Sequence, residues 1–482
     1  MKYMKFLLPS FIGMATMLCL SSCDNDDLHI GGIDSDGLLG SDGNVVYITD
    51  ALGSSETPTF SINGSGSFNI FAQTTKGING NCSVTFNYDV DVLTAYNEEN
   101  KTDYPALPAG MLALSNNGVV SFAAGALKSD ALTVTVSGNG QLDPEKVYAL
   151  PLSYTVANGA AVGGASSMVV LVRDFSTFPG SDKTYNGDPG MKIIGVFEVN
   201  DENPLNAIGF TMKNSGKQLF DMVVLFSANI NVNPATGAAY IKCNDNVQAL
   251  LDNADKYIRP LQERGIKVIL GILGNWDRAG VSTLDKNSCQ AFAQEVKIMC
   301  DNYKLDGVFL DDEYTDYAAA ASGKYPGFVP QSSEACSRMA YEIKKVQPER
   351  LVLSYRYEAL FDGVEIDGKQ PGEFFDYVLN DYWVTSDPTS TYPGLRQDQA
   401  GTGSWNCSDW SQCIPANSNW AARFSLTGMR EEGYGALMIF NFKCSPDYWL
   451  TSYIVRDLGK VAVDLYNDEL QYDGVYRTKD WN

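Results

Sequence analysis

The sequence predicts a multidomain protein, with an N-terminal all-β sandwich followed by an α/β TIM-type (β/α)8 barrel. Its 482 residues are too many for one compact core of ordinary size, which favours two domains. Residues 44–175 contain short segments in which apolar and polar residues alternate, as they do along half-buried strands. Residues 191–482 instead alternate short apolar runs with helical stretches, which is typical of parallel strands joined by helices.

The predicted sandwich spans residues 44–175 and contains one helical insert. Alternating segments include "CSVTFNYDVDV", "ALTVTVSG", "YALPLSYTV" and "SSMVVLVRDF", and turns rich in Gly, Asn and Asp separate them. The insert, "VLTAYNEENKTDYPALP", and the strands that follow it resemble the DUF1735-like domain at the front of Bacteroidetes surface lipoproteins. Nothing in this half indicates chemistry, so we expect a spacer or a glycan-contacting module.

The predicted barrel follows a polar linker, residues 176–190. Seven strands are clear from their apolar runs: "MKIIGVFEVN", "FDMVVLFSANIN", "GIKVILGILG", "LDGVFLDDEY", "ERLVLSYRYE", "FFDYVLNDYW" and "YGALMIFNF". The remaining strand is expected between Tyr392 and Trp420, where no apolar pattern locates it. The alternative, a doubly wound open sheet, is disfavoured because no Gly-rich phosphate-binding turn follows any strand.

Residues 1–22 have the layout of a secretion signal, with two lysines before the apolar run "FLLPSFIGMATMLCL". The stretch "LSSC", which ends at Cys23, resembles a bacterial lipoprotein box, and the "DNDD" after it resembles a surface-export signal of Bacteroides-type bacteria. We therefore expect acylation of Cys23, a flexible acidic tether over residues 23–43, and a surface-exposed protein held on the outer membrane by lipid. The alternative is an ordinary secretory signal.

Charge and composition exclude several classes of function. The formal net charge of −23 becomes −25 once the two signal lysines are removed, and such a chain repels nucleic acid. The single histidine, His29, lies in the tether, so no folded histidine is available for a metal site or a Ser/His pair. The cysteines lack CxxC spacing and are expected as disulfides or as buried thiols. We expect no metal and no cofactor.

Three consecutive acids follow the fourth barrel strand. Side chains alternate along a strand, so Asp311 and Glu313 share one face with Phe309, while Asp312 points the other way. Two strand steps place the backbones of the two acids roughly 6.5 to 7 Å apart, close enough to couple their titration. Active sites of (β/α)8 barrels lie at this end of the strands. The structural alternative is a helix cap or pairing with Arg356.

The segment "LDGVFLDDEY" resembles the DGxDxDxE motif of glycoside hydrolase family 18. With "FSANIN" and "NDNVQALLDNADKYIRPLQERGIKVILGILGN", it resembles the endoglycosidase H and F1 group. The resemblance implies cleavage between the two core GlcNAc residues of N-linked glycans, with a preference for high-mannose glycans. The sequence departs from the motif at Phe309, where the fuller motif has another Asp that shares a hydrogen bond with Asp311.

The resemblance also implies a retaining mechanism in which the substrate assists. Glu313 would protonate the glycosidic oxygen, and Asp311 would orient the 2-acetamido group as its oxygen attacks C1. Tyr382 corresponds to the tyrosine that binds the acetamido oxygen. Weaker substrate-binding candidates at strand ends or in the long polar segment are Asn380, Glu198, Asn229, Asn275, Tyr355, Trp405 and Trp410. Each has a structural alternative: turn capping for Glu198, and local loop packing for the tryptophans, including Trp420.

Two rival functions remain at this stage. The departure at Phe309 motivates a non-catalytic glycan-binding protein, although such a protein needs no proton donor. A chitinase would share the motif but would act on chitin oligosaccharides in a long open cleft. The longer matching segments favour an endo-β-N-acetylglucosaminidase acting as a monomer on the N-glycans of glycoproteins.

Overall fold

A computed structural model of the chain describes residues 44–51, 53–55, 57–78, 82–157, 161–162, 166–409 and 425–481. Two compact units divide the chain, the first ending at Thr177 and the second beginning at Phe178. Within these described ranges, no helix is long and apolar enough to cross a membrane. The predicted signal, the lipidation site Cys23 and the candidate Trp410 lie outside the described residues.

The first unit is built mainly from antiparallel strands. In its described part, ten strands form two five-stranded sheets, with orders β5-β7-β3-β1-β9 and β2-β10-β8-β4-β6. The strands are β1 Val45–Thr49, β2 Thr59–Ile62, β3 Ser65–Thr74, β4 Ser83–Tyr88, β5 Leu112–Leu114, β6 Val119–Ser121, β7 Leu132–Ser137, β8 Tyr148–Ala157, β9 Ala161–Val162 and β10 Ser167–Asp174.

One hydrophobic core joins the two sheets of the first unit. Val134 on β7 and Val84 on β4 are fully buried in it, one from each sheet. Helix α1, Val90–Asn100, occupies the predicted helical insert and begins at Asp89, whose side chain accepts from the backbone N–H of Asp91. Its Leu93 packs in a separate apolar cluster on the other side of β8 and β10. The two-layer arrangement follows from the period-two pattern of the sequence.

The second unit alternates strands and helices. Its strands are β11 Thr184–Tyr185, β12 Asp188–Pro189, β13 Lys192–Glu198, β14 Phe210–Met212, β15 Met222–Val232, β16 Ala239–Lys242, β17 Lys267–Leu273, β18 Gly307–Leu310, β19 Leu351–Arg356, β20 Tyr377–Asn380, β21 Ala400–Gly401, β22 Gly403–Asn406, β23 Ala436–Phe440 and β24 Leu470–Tyr472. Its α-helices are α2 Asp245–Asp252, α3 Ala254–Tyr257, α4 Arg259–Glu263, α5 Lys286–Tyr303, α6 Tyr317–Ala321, α7 Ser333–Val346, α8 Leu426–Glu431 and α9 Thr451–Tyr466.

A parallel sheet curves into a nearly closed barrel. Its order is β21-β20-β19-β18-β17-β15-β13-β23-β22. Strands β21 and β22 are two halves of one chain segment broken at Thr402: Ala400 pairs with Val378 of β20, and Gly403 pairs with Leu437 of β23. The segment 400–406 therefore supplies the strand that the sequence analysis placed between residues 392 and 420.

Two apolar clusters line the two faces of this barrel. Phe309, Leu353 and Leu379 belong to the cluster inside the barrel, and all three are fully buried. A larger cluster lies between the strands and the outer helices, where Phe292 and Val296 of α5 pack. The burial of both strand faces explains the continuous apolar runs in the sequence.

Most of the predicted linker 176–190 packs on the second unit, which begins at Phe178. Lys183 is buried, and its Nζ donates to Asp221 Oδ2 at 2.7 Å and to the carbonyl oxygens of Ser181 and Gln218. The hairpin of β11 and β12 follows within the same segment. A polar, Gly-rich composition is typical of a linker, but the ion pair attaches this stretch to the barrel.

Closure of the barrel near Gly435 is testable by substitution. A Cβ at Gly435 would lie 1.7 Å from the carbonyl oxygen of Asp398, so we expect Gly435→Ala to lower the free energy of unfolding by about 3 kcal/mol. The matched control is Gly459→Ala in helix α9, where a Cβ meets nothing within 4 Å. That variant should gain about 1 kcal/mol from helix propensity. Chemical denaturation measures both, and equal unfolding free energies for the two variants would contradict the expectation.

Candidate active site

A pocket of about 480 Å³ lies at the carboxyl ends of the barrel strands. Strands β13, β15, β17, β18, β19, β20 and β23, with the loops that follow them, contribute its walls. The lining residues are Glu198, Asn200, Phe226, Ser227, Asn229, Asn244, Leu273, Glu313, Tyr314, Tyr355, Tyr357, Asp381, Tyr382, Trp383 and Phe440. This lining contains three acids and neither lysine nor arginine, so the pocket is suited to an uncharged polar ligand.

Asp312 fixes the direction of the two neighbouring acids. It is fully buried on the outer side of the strand, and Ser282 Oγ donates to its Oδ1 at 2.6 Å. Gln331 Nε2 and the backbone N–H of Ala359 donate to its Oδ2 at 3.0 and 3.1 Å. Tyr317 OH also donates to Oδ1, at 3.2 Å. With Asp312 held outward, Asp311 and Glu313 must face inward, as the strand alternation predicts.

Asp311 is a buried acid that no described group stabilises by a hydrogen bond. Its side chain is fully buried, and neither carboxyl oxygen has a hydrogen-bond partner among the described residues. Burial raises the pKa of Asp311 well above its usual range, and the charges of Glu313 and Asp312 raise it further. The protonated form is therefore favoured. Neither helix capping nor pairing with Arg356 occurs, which excludes the structural alternative for Asp311.

Phe309 places an aromatic ring at the inward-facing position two residues before Asp311. It is fully buried, with ring centroids 6.2 Å from Phe226 and 6.1 Å from Tyr355. A carboxylate at this position would offer Asp311 a hydrogen-bond partner, whereas an aromatic ring offers only a low-dielectric contact. The departure from the motif thus changes the environment of Asp311 and leaves Glu313 in the pocket.

Glu313 is the half-buried acid at the next inward position, and it lines the pocket. Burial raises the pKa of its carboxyl, and the charges of Asp381, Glu358 and Asp312 add to the shift. A carboxyl that keeps its proton to higher pH than an ordinary glutamate is suited to general-acid chemistry. Its half-buried position at the pocket wall and its raised pKa fit the proton-donor role that the sequence predicts for it.

Asp381 and Tyr355 form a hydrogen-bonded pair that sequence analysis did not predict. Tyr355 OH donates to Asp381 Oδ1, and the backbone N–H of Trp383 donates to Oδ2 at 3.2 Å. Both side chains line the pocket beside Tyr382. Asp381 follows the inward-facing Leu379 by two residues, so strand alternation was a signal from which its direction could have been predicted.

Tyr355 and Arg356 face opposite sides of strand β19, as expected. Tyr355 lines the pocket, whereas Arg356 is fully buried behind the strand and its Nη1 donates to Asn380 Oδ1 at 3.0 Å. The candidate Asn380 is therefore wrong as a pocket residue. Its Nδ2 donates to the carbonyl oxygens of Ser386 and Thr402, so it joins loops outside the barrel.

One further substrate-binding candidate is corrected by its position. Trp405 is fully buried in the outer core cluster, so it offers no exposed face to a sugar; its place on strand β22 rather than in a loop is the reason. Asn275 is half-buried outside the pocket lining, and its Nδ2 donates to Asn231 Oδ1 at 3.0 Å, so its role in substrate binding stays a prediction.

Asn229 and Glu198 do line the pocket. Asn229 Nδ2 donates to the carbonyl oxygen of Gly274 at 3.1 Å, which positions its amide at the wall. The backbone carbonyl oxygen of Glu198 accepts hydrogen bonds from the N–H groups of Asp201 and Glu202, and these bonds hold the turn after Glu198. Burial and the charge of Asp201 raise the pKa of Glu198 to about 7.

The described residues also bear on the predictions about metal ligands and disulfides. Across the described part of the chain, no group of three or more His, Cys, Asp or Glu side chains could hold a metal ion. Seven described cysteines are thiols that form no disulfide with one another: Cys82, Cys243, Cys289, Cys300, Cys336, Cys407 and Cys444. Since Cys413 lies outside the described residues, the thiol interpretation applies to these seven alone.

Comparison with curated proteins shows the family. Endo-beta-N-acetylglucosaminidase F1 of Elizabethkingia meningoseptica is 42% identical over 292 residues, which are 60% of this chain and 83% of that protein. An endo-beta-N-acetylglucosaminidase of a Flavobacterium species is 31% identical over 267 residues, 55% of this chain and 78% of that protein. The chain belongs to the endo-β-N-acetylglucosaminidase family. It is a glycosidase.

Two further comparisons extend over the rest of the chain. A family model with the description "-like, N-terminal domain" matches residues 42–161, most of the first unit. The crystal structure of Bacteroides thetaiotamicron EndoBT-3987 with Man5GlcNAc product is 28% identical, covers 90% of this chain and 98% of that one, and has a TM-score of 0.54. The same enzyme in complex with Man9GlcNAc2Asn substrate is 26% identical, with the same coverage and TM-score. The match to this solved endoglycosidase therefore extends over both units of this glycosidase.

Removal of the Asp381 charge tests the electrostatics of the pocket. That charge raises the pKa of Glu313, so Asp381→Asn should lower the pKa of Glu313. A general acid loses its proton as the pH rises through its pKa. The alkaline limb of the profile of kcat/KM against pH should therefore move to lower pH. The control is Asp252→Asn on helix α2, which lies outside the pocket lining and should leave the limb in place. An alkaline limb that stays fixed in Asp381→Asn would show that this charge does not set the pKa of Glu313.

Proposed function

We propose that this glycosidase cleaves the bond between the two core GlcNAc residues of N-linked glycans, with high-mannose glycans as substrates and retention of configuration. The observation that carries the proposal is the placement of Asp311 and Glu313 at successive inward positions of one strand end, with Tyr382 in the same pocket. We assign the second unit to glycoside hydrolase family 18 on this geometry and on the motif at residues 305–314.

Glu313 begins the reaction by protonating the oxygen that joins the two GlcNAc residues. The acetamido oxygen of the GlcNAc in the pocket attacks its own C1, which forms a cyclic oxazolinium and expels the other GlcNAc. Glu313, now a carboxylate, removes a proton from water as that water attacks C1. Two displacements at one carbon restore the original configuration. The same side chain acts as acid and then as base, which requires that it lie at the pocket surface, as Glu313 does.

Asp311 orients the acetamido group. Its buried carboxyl accepts from the acetamido N–H, so that the acetamido oxygen points at C1. Positive charge develops on this nitrogen as the oxazolinium forms, and it favours the ionised form of the carboxyl. A carboxyl with no hydrogen-bond partner among the described residues is free to make this contact. Tyr382 follows β20, which lies two strands from β18 in the barrel order, and its hydroxyl donates to the acetamido oxygen.

The preference for high-mannose glycans is supported by two observations. EndoBT-3987 was solved with a Man5GlcNAc product and with a Man9GlcNAc2Asn substrate, and it covers nearly the whole of this chain. The pocket lining contains acids and no basic side chain, which favours neutral mannose-rich glycans over acidic ones. The relatives at 42% and 31% identity also favour an endoglycosidase over a chitinase.

Surface display on the outer membrane completes the proposed function. The "LSSC" box at Cys23 and the acidic residues after it support a lipid anchor, and the first unit is proposed to be a DUF1735-like spacer domain. An anchored endoglycosidase acts on glycoproteins outside the cell, where N-glycans are encountered as intact substrates.

The first experiment follows the mass of a high-mannose glycoprotein during incubation with the protein that lacks residues 1–23. We expect loss of the glycan with one GlcNAc left on each Asn, because cleavage occurs between the two core residues. Glu313→Gln should abolish cleavage, with a fall in kcat of at least about a hundredfold, since it removes the proton donor. The same variant should still bind the glycan.

Other outcomes of this experiment are informative. Absence of cleavage by the wild-type protein on high-mannose, hybrid and complex substrates would replace the proposal with a glycan-binding protein and would make Phe309 the residue to explain. Release of chitin oligosaccharides without release of N-glycans would indicate a chitinase. Full activity in Glu313→Gln would assign the proton donor to another acid.

A second experiment tests the lipid anchor. Cys23→Ala in the full-length chain removes the only side chain in the box that can carry a thioether-linked lipid, so the protein should move from the membrane fraction to the soluble fraction. Fractionation with immunodetection measures this, and Cys82→Ala is the control because Cys82 is buried in the first unit. A Cys23→Ala protein that stays in the outer membrane would exclude lipidation as the anchor.

A further inference from the structure

The loop that follows β13, residues 199–209, brings Asn200 to the wall of the pocket. Asn200 is exposed, and its Oδ1 accepts from Asn246 Nδ2 at 2.8 Å and from Asn244 Nδ2 at 3.4 Å. These bonds occupy the amide oxygen and leave the Nδ2 hydrogens as donors for a ligand. Sugar hydroxyls accept such donors, so the position of Asn200 bears on the binding of an uncharged glycan.

A segment far along the chain, residues 473–481, runs beside this loop. Asn203 Nδ2 donates to the carbonyl oxygen of Thr478 at 3.0 Å, and these two residues are 275 positions apart in the sequence. Lys479 Nζ donates to the carbonyl oxygen of Asn200 itself at 3.1 Å. The segment therefore contacts both the loop and the backbone of the residue that the loop brings to the pocket.

Asn206 lies at the centre of this contact. Its buried side-chain amide pairs with both backbone groups of Arg477: the N–H of Arg477 donates to Oδ1 at 2.7 Å, and Nδ2 donates to the carbonyl oxygen at 3.0 Å. Nδ2 also donates to Oε1 of the buried Glu202. Removal of this one amide would break all three hydrogen bonds at a site where water does not readily replace them.

The end of the segment is fixed on helix α3. Trp481 is buried, and its ring centroid lies 5.0 Å from that of Tyr257 with an angle of 71° between the planes. Asp480 accepts from Tyr257 OH at 2.5 Å and from Lys256 Nζ at 2.6 Å. At its other end the segment continues strand β24, which pairs with β14. A wall supported in this way is preorganised, so a ligand binds it without the cost of ordering a loop.

We propose that residues 473–481 hold Asn200 in position to bind the glycan, with Asn206 and Lys479 as positioning residues. This inference rests on the proposed function and deepens it, because it assigns part of glycan recognition to a segment outside the pocket lining. Strand β13, which carries the loop, is three strands away in the barrel order from β18, which precedes Glu313. Loss of the positioning should therefore weaken binding of the glycan and leave the chemical step in place.

The test measures kcat and KM for cleavage of Man9GlcNAc2Asn. Asn206→Ala should raise KM roughly five- to tenfold, which corresponds to the loss of about one hydrogen bond to the glycan, and should leave kcat within about twofold. Lys479→Met removes only the contact with the carbonyl oxygen of Asn200 and should raise KM roughly two- to threefold. The second variant provides the test if Asn206→Ala folds poorly. The matched control is Lys213→Met, which removes an exposed lysine that pairs with Glu469 outside the segment and should leave KM unchanged.

A double-mutant cycle shows whether the segment acts through Asn200. Asn200→Ala alone should raise KM about as much as Asn206→Ala, and the double variant should raise KM no further, because both changes remove the same contact with the glycan. A purely structural effect has another signature. It lowers the fraction of active enzyme, which reduces the apparent kcat and leaves KM as it is.

Two results would overturn the inference and leave the proposed function in place. One is an unchanged KM in both Asn206→Ala and Lys479→Met. The other is a double variant in which the separate effects of Asn200→Ala and Asn206→Ala multiply, since the two residues would then act independently. Absence of cleavage of Man9GlcNAc2Asn by the wild-type protein would overturn the proposed function and this inference together.

Discussion

Asp312 accepts hydrogen bonds from Ser282, Tyr317, Gln331 and the backbone of Ala359, and the arrangement of the whole pocket depends on this buried anchor. These donors come from three different loops, so one carboxylate joins the segments that follow β17, β18 and β19. A charged group buried without such partners would destabilise the fold, which makes the donors a condition of the position. Because strand side chains alternate, holding Asp312 outward determines where the side chains of Asp311 and Glu313 point.

The acids of the pocket differ in the groups that surround them. Asp312 is surrounded by donors, Asp381 accepts from Tyr355, and Asp311 is buried without a hydrogen-bond partner among the described residues. The residue types are the same, but these surroundings separate a structural anchor, a hydrogen-bonded acid and a buried acid with a raised pKa, as differences in burial and hydrogen bonding do in other sets of carboxyl groups. The described pocket lining contains no basic group, and the charges of neighbouring acids add to the raised pKa values of Asp311 and Glu313.

Sequence patterns predicted those parts of the structure that follow from alternation and burial. The strong apolar runs located seven barrel strands, and alternation placed Asp311 and Glu313 inward. The segment 400–406 is mostly small and polar residues, so its burial comes from closure of the barrel and left no local pattern. Trp405 was misassigned for the same reason. Asn380 was misassigned although its neighbour Leu379 faces inward.

The buried carboxyl of Asp311 also couples folding to proton concentration. An unfolded aspartate has a pKa of about 3.9, and the folded value lies well above the usual range, so between the two the unfolded chain binds fewer protons. The free energy of unfolding therefore falls as the pH rises through this window, by up to about 1.4 kcal/mol for each pH unit. In the proposed mechanism, a bound acetamido group offers its N–H to the same carboxyl and stabilises the folded state in return. Occupancy by substrate then offsets a cost of folding that Asp311 imposes, and thermal resistance of this enzyme becomes a measure of how its pocket is filled.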